Sequence, residues 1–194
     1  MNRKQFFRVV YLGLATMIPL GIISSNPVNG QTSINLGTFR STALSKHNTY
    51  RNTHHSPSMT LSSSLNSSAQ TWANYLATNG VFKHSSSSQR NNAGENLYAV
   101  YTTASSIDSA TLANQTVSRW YNEVSAYNYN NPGFSSQTGH FTQVVWKKST
   151  QLGCGAARGV KTISGTKYNA FYVVCHYAPA GNVTGQFAEN VLAP

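Results

Sequence analysis

Apolar residues recur at helical spacing over the early part of this 194-residue chain and at strand spacing near its end, an order that few fold classes accommodate. Leu36, Phe39, Ala43, His47 and Tyr50 mark one helical stripe, with His47 pointing inward. Leu65, Ala69, Trp72 and Leu76 mark a second, entered through a serine-rich segment able to cap a helix and left through Asn79-Gly80. Ala113, Val117, Trp120, Tyr121, Val124 and Tyr127 predict a third helix from about Asp108 to Tyr127. At about 100° per residue, that helix would put Glu123 on the edge of its apolar arc, about 40° from Tyr127. Residues 85–94, SSSSQRNNAG, carry no periodicity and read as a surface loop, and Leu97 to Thr103 as a short strand. Alternating runs at 140–146, 151–158 and 167–177 suit strands, the last two forming a hairpin through Gly159 to Thr166. Helices first and strands last predict an α+β domain with helices covering a small antiparallel sheet.

The N-terminus narrows the compartment. Arg3, Lys4 and Arg8 precede a mostly apolar stretch, Val9 to Ile23, which is short for a membrane span and fits an export signal over residues 1–30. Residues 31–35 are a polar lead-in, and 36–194 form one domain, large enough to bury a core without metal or several disulfides. The expected location is extracellular, free or at the cell wall, with no stable membrane anchor. In an oxidising compartment Cys154 and Cys175 are expected to pair, constraining the unfolded chain by roughly 3 kcal/mol.

The whole chain carries a formal charge of +10, and Lys147-Lys148 is the only adjacent basic pair after residue 30. Charge so dispersed does not track nucleic-acid phosphates; it suits attraction to an anionic cell-surface polymer, or simple solubility. The four acidic residues, Glu95, Asp108, Glu123 and Glu189, are sparse enough that their placement is informative. Glu95 follows His84 across the serine-rich loop, and Glu123 precedes His140 across an aromatic one. Two imidazoles and two carboxylates in a cleft suit a divalent metal or proton transfer. They equally suit buried polar residues that satisfy one another. His47 and His176 read as packing residues and His54 and His55 as loop residues, so none of the four is assigned to the site.

Five segments carry a resemblance. HNTYRNTHHSPSM at 47–59, Trp72-Ala73 with Leu76, His84-Ser85 with Gly94-Glu95-Asn96-Leu97, GHFTQVVWKKST at 139–150 and YVVCHYAPAGNV at 172–183 resemble, in order, the motifs of the cysteine-rich secretory, antigen five and pathogenesis-related (CAP, SCP-domain) family. The resemblance implies an α-β-α sandwich whose cleft presents His84, Glu95, Glu123 and His140 as a tetrad. His84 and His140 would ligate zinc or another divalent ion, and Cys154 and Cys175 match a family disulfide. AYNYNNPGFSSQTGHFTQ at 126–143 is similar to the fungal pathogen-related secreted proteins that bind sterols, with Tyr127, Tyr129 and Phe134 keeping the aromatic spacing of their ligand loop. Set against that, Tyr127 would pack on the core and Phe134 would plug the loop onto the domain. The resemblance implies binding of a sterol or a fatty-acid-like molecule. Its alternatives are a metal-dependent hydrolase or protease in the His/Glu cleft, for which Ser85 is a weak nucleophile candidate, and a secreted defence or host-interaction factor.

Overall fold

A computed structural model describes residues 33–194, so the expected export signal and the start of the lead-in lie outside the described residues. Helix α1 (Leu36–Thr53) begins where Asn35 accepts the Thr38 amide at 3.0 Å. Helix α2 (Ser63–Asn79) begins at Ser62, which accepts the Leu65 amide, and ends at Gly80 in the left-handed region. Helix α3 (Ser109–Tyr121) begins at Asp108, which accepts the Thr111 amide at 2.8 Å. All three caps use a side-chain oxygen on an amide that the helix itself leaves unpaired.

Strand β1 (Thr60–Leu61), β2 (Gly94–Thr102), β3 (Gln151–Ile163) and β4 (Thr166–Ala178) form one sheet in the order β1-β3-β4-β2. β4 runs antiparallel to β2 and β3, whereas β1 pairs parallel to β3, so the sheet is mixed at one edge. Helix α2 covers one face, against Leu97, Ala170, Tyr172 and Val174. The opposite face, with Phe171, Val173, Cys175 and Tyr177, is covered by α1, α3 and two short helices, α4 (Gly139–Val145) and α5 (Phe187–Asn190). The result is the expected α-β-α sandwich. Cys154 and Cys175 are register partners on β3 and β4 and are disulfide-bonded. Among the described residues no helix is long and apolar enough to cross a membrane.

Helix α2 rests directly on β3. A Cβ at Gly153 would overlap the backbone of Leu65 and Asn66, and one at Gly155 that of Ala69 and Gln70. Close approach lets α2 side chains serve the strand backbone: Asn66 Oδ1 accepts the Cys154 amide at 2.9 Å, and Gln70 both accepts from and donates to Ala156. From α1, Arg40 Nε donates to the Cys154 carbonyl at 2.8 Å. These groups occupy backbone sites that short β1 cannot reach, which protects an edge otherwise open to pairing.

Several boundaries differ from expectation. The third helix stops at Tyr121 and continues as a 3₁₀ helix over Asn122–Ala126, so Glu123 lies on that tighter turn and not on an α-helical arc. β2 starts earlier than predicted, at Gly94. The hairpin turn shrinks to Ser164-Gly165, both at positive φ, a two-residue connection whose twist matches that of the strands and lets both extend. The largest correction concerns 140–146, expected as a strand and found as α4. No local side chain caps α4; distant residues satisfy its ends. Glu123 Oε2 accepts the amides of His140 and Phe141. At the other end the fully buried Arg51 donates to the carbonyls of Val144 (3.1 Å), Trp146 (2.8 Å) and Ser149 (2.8 Å). Burial lowers the Arg51 pKa to about 10.

Candidate functional site

Glu95 and Asn96 open edge strand β2 and, as strand neighbours, face opposite sides of the sheet. Glu95 is the register partner of His176, on the α2 face, while Asn96 bonds Tyr177 on the other. Both candidate pairs form, one toward each face.

On the α2 face, the Glu95 side chain is only 1% exposed, yet every donor around it is engaged. Oε1 accepts from His84 Nδ1 at 2.6 Å and from the Ser85 amide at 3.0 Å; Oε2 accepts from Ser85 Oγ at 2.6 Å and His176 Nε2 at 3.0 Å. Burial alone would raise this carboxyl's pKa, but the bonds from His176, His84 and Ser85 overcome it and hold it at about 2. Arg90 folds the serine-rich loop inward by donating to the carbonyls of Ser85 and Ala93. His84 itself is 61% exposed.

On the other face, Glu123 Oε1 accepts from His140 Nδ1 at 2.8 Å while Oε2 holds the first amides of α4. The His140 ring lies over Trp120, 6.2 Å between centroids and 19° from parallel. Asn96 Nδ2 donates to the His140 carbonyl at 3.1 Å and to Tyr177 Oη at 3.2 Å. Tyr177 in turn meets His47 Nε2 at 2.9 Å, and His47 Nδ1 donates to the Ala43 carbonyl at 2.7 Å. Chiefly through burial, the His47 pKa falls to about 4.

Each histidine therefore presents Nδ1 to a carboxylate, and neither Nε2 has a hydrogen-bond partner among the described residues. In the neutral ring, an acceptor-only carboxylate puts the imidazole hydrogen on Nδ1 and leaves the Nε2 lone pair outward, the tautomer of a metal-ligating histidine with a supporting carboxylate. Among the described residues no three His, Cys, Asp or Glu side chains group as a ready-made metal cluster. Each pair thus leaves one imidazole nitrogen, on His84 and on His140, without a hydrogen-bond partner among the described residues. Ser85, 5% exposed, spends its hydroxyl on Glu95 and has no nucleophile's freedom.

His176, expected as a packing residue outside the site, is buried but bonds the site carboxylate Glu95 from β4, with Ser68 of α2 on its other nitrogen. Apolar Tyr172 and Val174, at the same strand parity, mark its face; only the β2 register identifies its partner. His54, expected in a loop, caps α1 and is buried, bonding the Leu192 carbonyl and Tyr121 Oη.

The aromatic loop divides. Tyr127 and Tyr129 meet edge to face at 4.9 Å, Tyr127 packs on Phe141 at 5.5 Å, and both hydroxyls are buried, that of Tyr127 toward the Gly133 backbone and that of Tyr129 without a partner among the described residues. Phe134 does not plug the loop: it is 64% exposed, its ring edge over Gly139.

Residues 44–177 match the model of the cysteine-rich secretory protein family, CAP. The chain is 40% identical to the human Golgi-associated plant pathogenesis-related protein 1 over 80% of its own length and 94% of that protein's. It is 39% identical to protein PRY2 of Saccharomyces cerevisiae over 79% of this chain, spanning only 41% of PRY2. To secreted protein RBT4 of Candida albicans it is 33% identical over 88% of this chain and 45% of that protein. Among solved structures it resembles BmVAL-1 (TM-score 0.64, 27% identity, 81% of this chain and 84% of that one). It also resembles NaASP2, crystallised with Zn2+ (TM-score 0.57, 25% identity, 88% and 92%).

Proposed function

The chain belongs to the cysteine-rich secretory protein (CAP) family, and from that premise we propose that it is an extracellular binding module whose cleft takes a divalent metal ion through His84 and His140. The observation that carries this reading is that both imidazoles have Nδ1 committed to a glutamate and Nε2 uncommitted. Glu95 and Glu123 orient the rings and raise the basicity of the outward nitrogens. The related fold of NaASP2 with Zn2+ supports zinc as the first ion to test. A bound zinc ion supplies Lewis acidity and lowers the pKa of a coordinated water toward about 7. With Ser85 tied to Glu95, this reading is binding without covalent turnover. The export signal expected over residues 1–30 and a relative named as a secreted protein support the extracellular setting, where dispersed basic charge also suits weak attraction to anionic polymers.

Equilibrium dialysis tests the reading. The wild-type protein is expected to take up zinc stoichiometrically and His84→Ala/His140→Ala to take up none; equal uptake by both would remove the cleft as the site.

A second reading, sterol binding under the aromatic loop, draws on exposed Phe134 and on the buried Tyr129 hydroxyl, which has no partner among the described residues. Burying a phenylalanine contributes about 1.5–3 kcal/mol, so Phe134→Ala should weaken sterol affinity on the order of ten- to a hundredfold. Its thermal midpoint should stay unchanged. Wild-type affinity in the variant would take the loop out of the site. The groove of about 430 Å³ beside α1 and α3 is lined by Ser41, Thr42, Ser45, Lys46, Thr49 and Asn114, which give a fatty-acid chain little apolar wall there.

A further inference from the structure

His84 is the most exposed member of the two pairs, and its only side-chain hydrogen bond among the described residues is to Glu95. Whatever orders Glu95 therefore orders His84. The two carboxylate oxygens divide the work: Oε1 faces His84, and Oε2 faces inward to His176 and Ser85 Oγ. Behind His176 the chain continues, because its Nδ1 lies 2.8 Å from Ser68 Oγ on α2. Three elements thus meet in one line: α2 through Ser68, β4 through His176 and β2 through Glu95. His176 is fully buried, and Ser68 Oγ lies between its Nδ1 at 2.8 Å and the Leu65 carbonyl at 3.1 Å, with a single hydrogen to give to one or the other, so this serine is a support and not a nucleophile.

We infer that His176, backed by Ser68, is a positioning residue that anchors Glu95 Oε2 and so fixes which ring nitrogen His84 offers to a ligand. Without that anchor the carboxylate rotates toward Ser85 alone. His84 then exchanges between its two tautomers and several rotamers. Ser85 cannot replace the anchor, since its amide is on Oε1 and its hydroxyl comes from the same loop that carries His84. The inference concerns the metal-free protein and rests on the metal reading only for its effect on affinity.

Long-range 1H–15N correlation of imidazole-labelled, metal-free protein reads the His84 tautomer directly, with a zinc titration run on the same samples. Wild type should show the Nδ1–H tautomer alone. His176→Leu should show exchange between tautomers and about tenfold weaker zinc binding, the usual scale for loss of a supporting partner. His176→Gln, whose amide nitrogen reaches about as far as the imidazole Nε2 and keeps the donor, should restore both. A folded His176→Leu protein that keeps a single Nδ1–H tautomer at His84 overturns the inference. Should that variant not fold, Ser68→Ala decides: a shift of the His84 ring signals supports the line of support, and unmoved signals overturn it. A wild-type protein that takes up no zinc defeats the metal reading alone, because the tautomer still reports on His176.

Discussion

Glu95 lies in a strand and is held by side chains from the loop before it and from β4, whereas Glu123 lies on a 3₁₀ turn and is held chiefly by the backbone of the helix that it starts. The first carboxylate is buried and its histidine exposed; the second is 17% exposed and its histidine 35%. One pair draws order from a side-chain network and the other from a helix end. Similar ligands are thus presented by supports with different failure modes: a network fails with loss of any donor, a cap fails with its helix.

Removing the two carboxylates should show this difference most strongly. Glu95→Ala leaves Ser85 and His176 with buried, unpaired polar groups and should cost about 3–5 kcal/mol of unfolding free energy in urea. A cost below about 1 kcal/mol would mean water replaces the network.

Acid separates the faces next. His47 supports the His140 side through Tyr177 and Asn96, and its pKa of about 4 lies below the ordinary 6.5. The unfolded chain protonates this histidine first, so its contribution is complete above pH 6.5 and is lost as pH falls through 4. The loss reaches about 3 kcal/mol. Glu95, held at about 2 against an ordinary 4.5, contributes fully above pH 4.5 and loses that contribution only as pH falls toward 2. Falling pH should therefore loosen the His140 face before the His84 face. In His47→Gln the stability slope between pH 6.5 and 4 should flatten, and an unchanged slope would assign it elsewhere.

The smallest effect belongs to the cap. Glu123→Ala should cost about 1–2 kcal/mol, the scale of a lost helix N-cap. Its signature is local, faster amide exchange at His140 and Phe141 with β2 amides unchanged. Equal acceleration in β2 would show that the two halves are one cooperative unit.

Much of this architecture is legible in residue order. Phe39, Ala43 and His47 on α1, and Ala69, Trp72 and Leu76 on α2, are buried as their spacing requires. The tetrad came from motif resemblance and not from spacing, and both of its pairs form. Helix α4 was illegible because Phe141, Thr142, Gln143, Val144 and Val145 are all buried. A segment covered on every side carries no amphipathic period, and its alternation in composition mimics a strand. The caps that decide its helicity, Glu123 and Arg51, come from far along the chain. Arg51 falls four positions after His47 on the buried stripe, where a charged residue reads as surface until its carbonyl partners are known. His176 stayed hidden for a related reason, since strand parity shows its face but not what stands opposite.

Gly153 and Gly155 bring the backbone of α2 into contact with β3. Layers separated by side chains are cushioned, and a methylene gained or lost can be absorbed by repacking; two main chains in contact form a hard stop. The height of Ser68 above His176 is therefore set by residues with no side chain, one strand away. Drift at either glycine would lift the helix off its seat and unsupport the site while leaving every site residue unchanged in sequence.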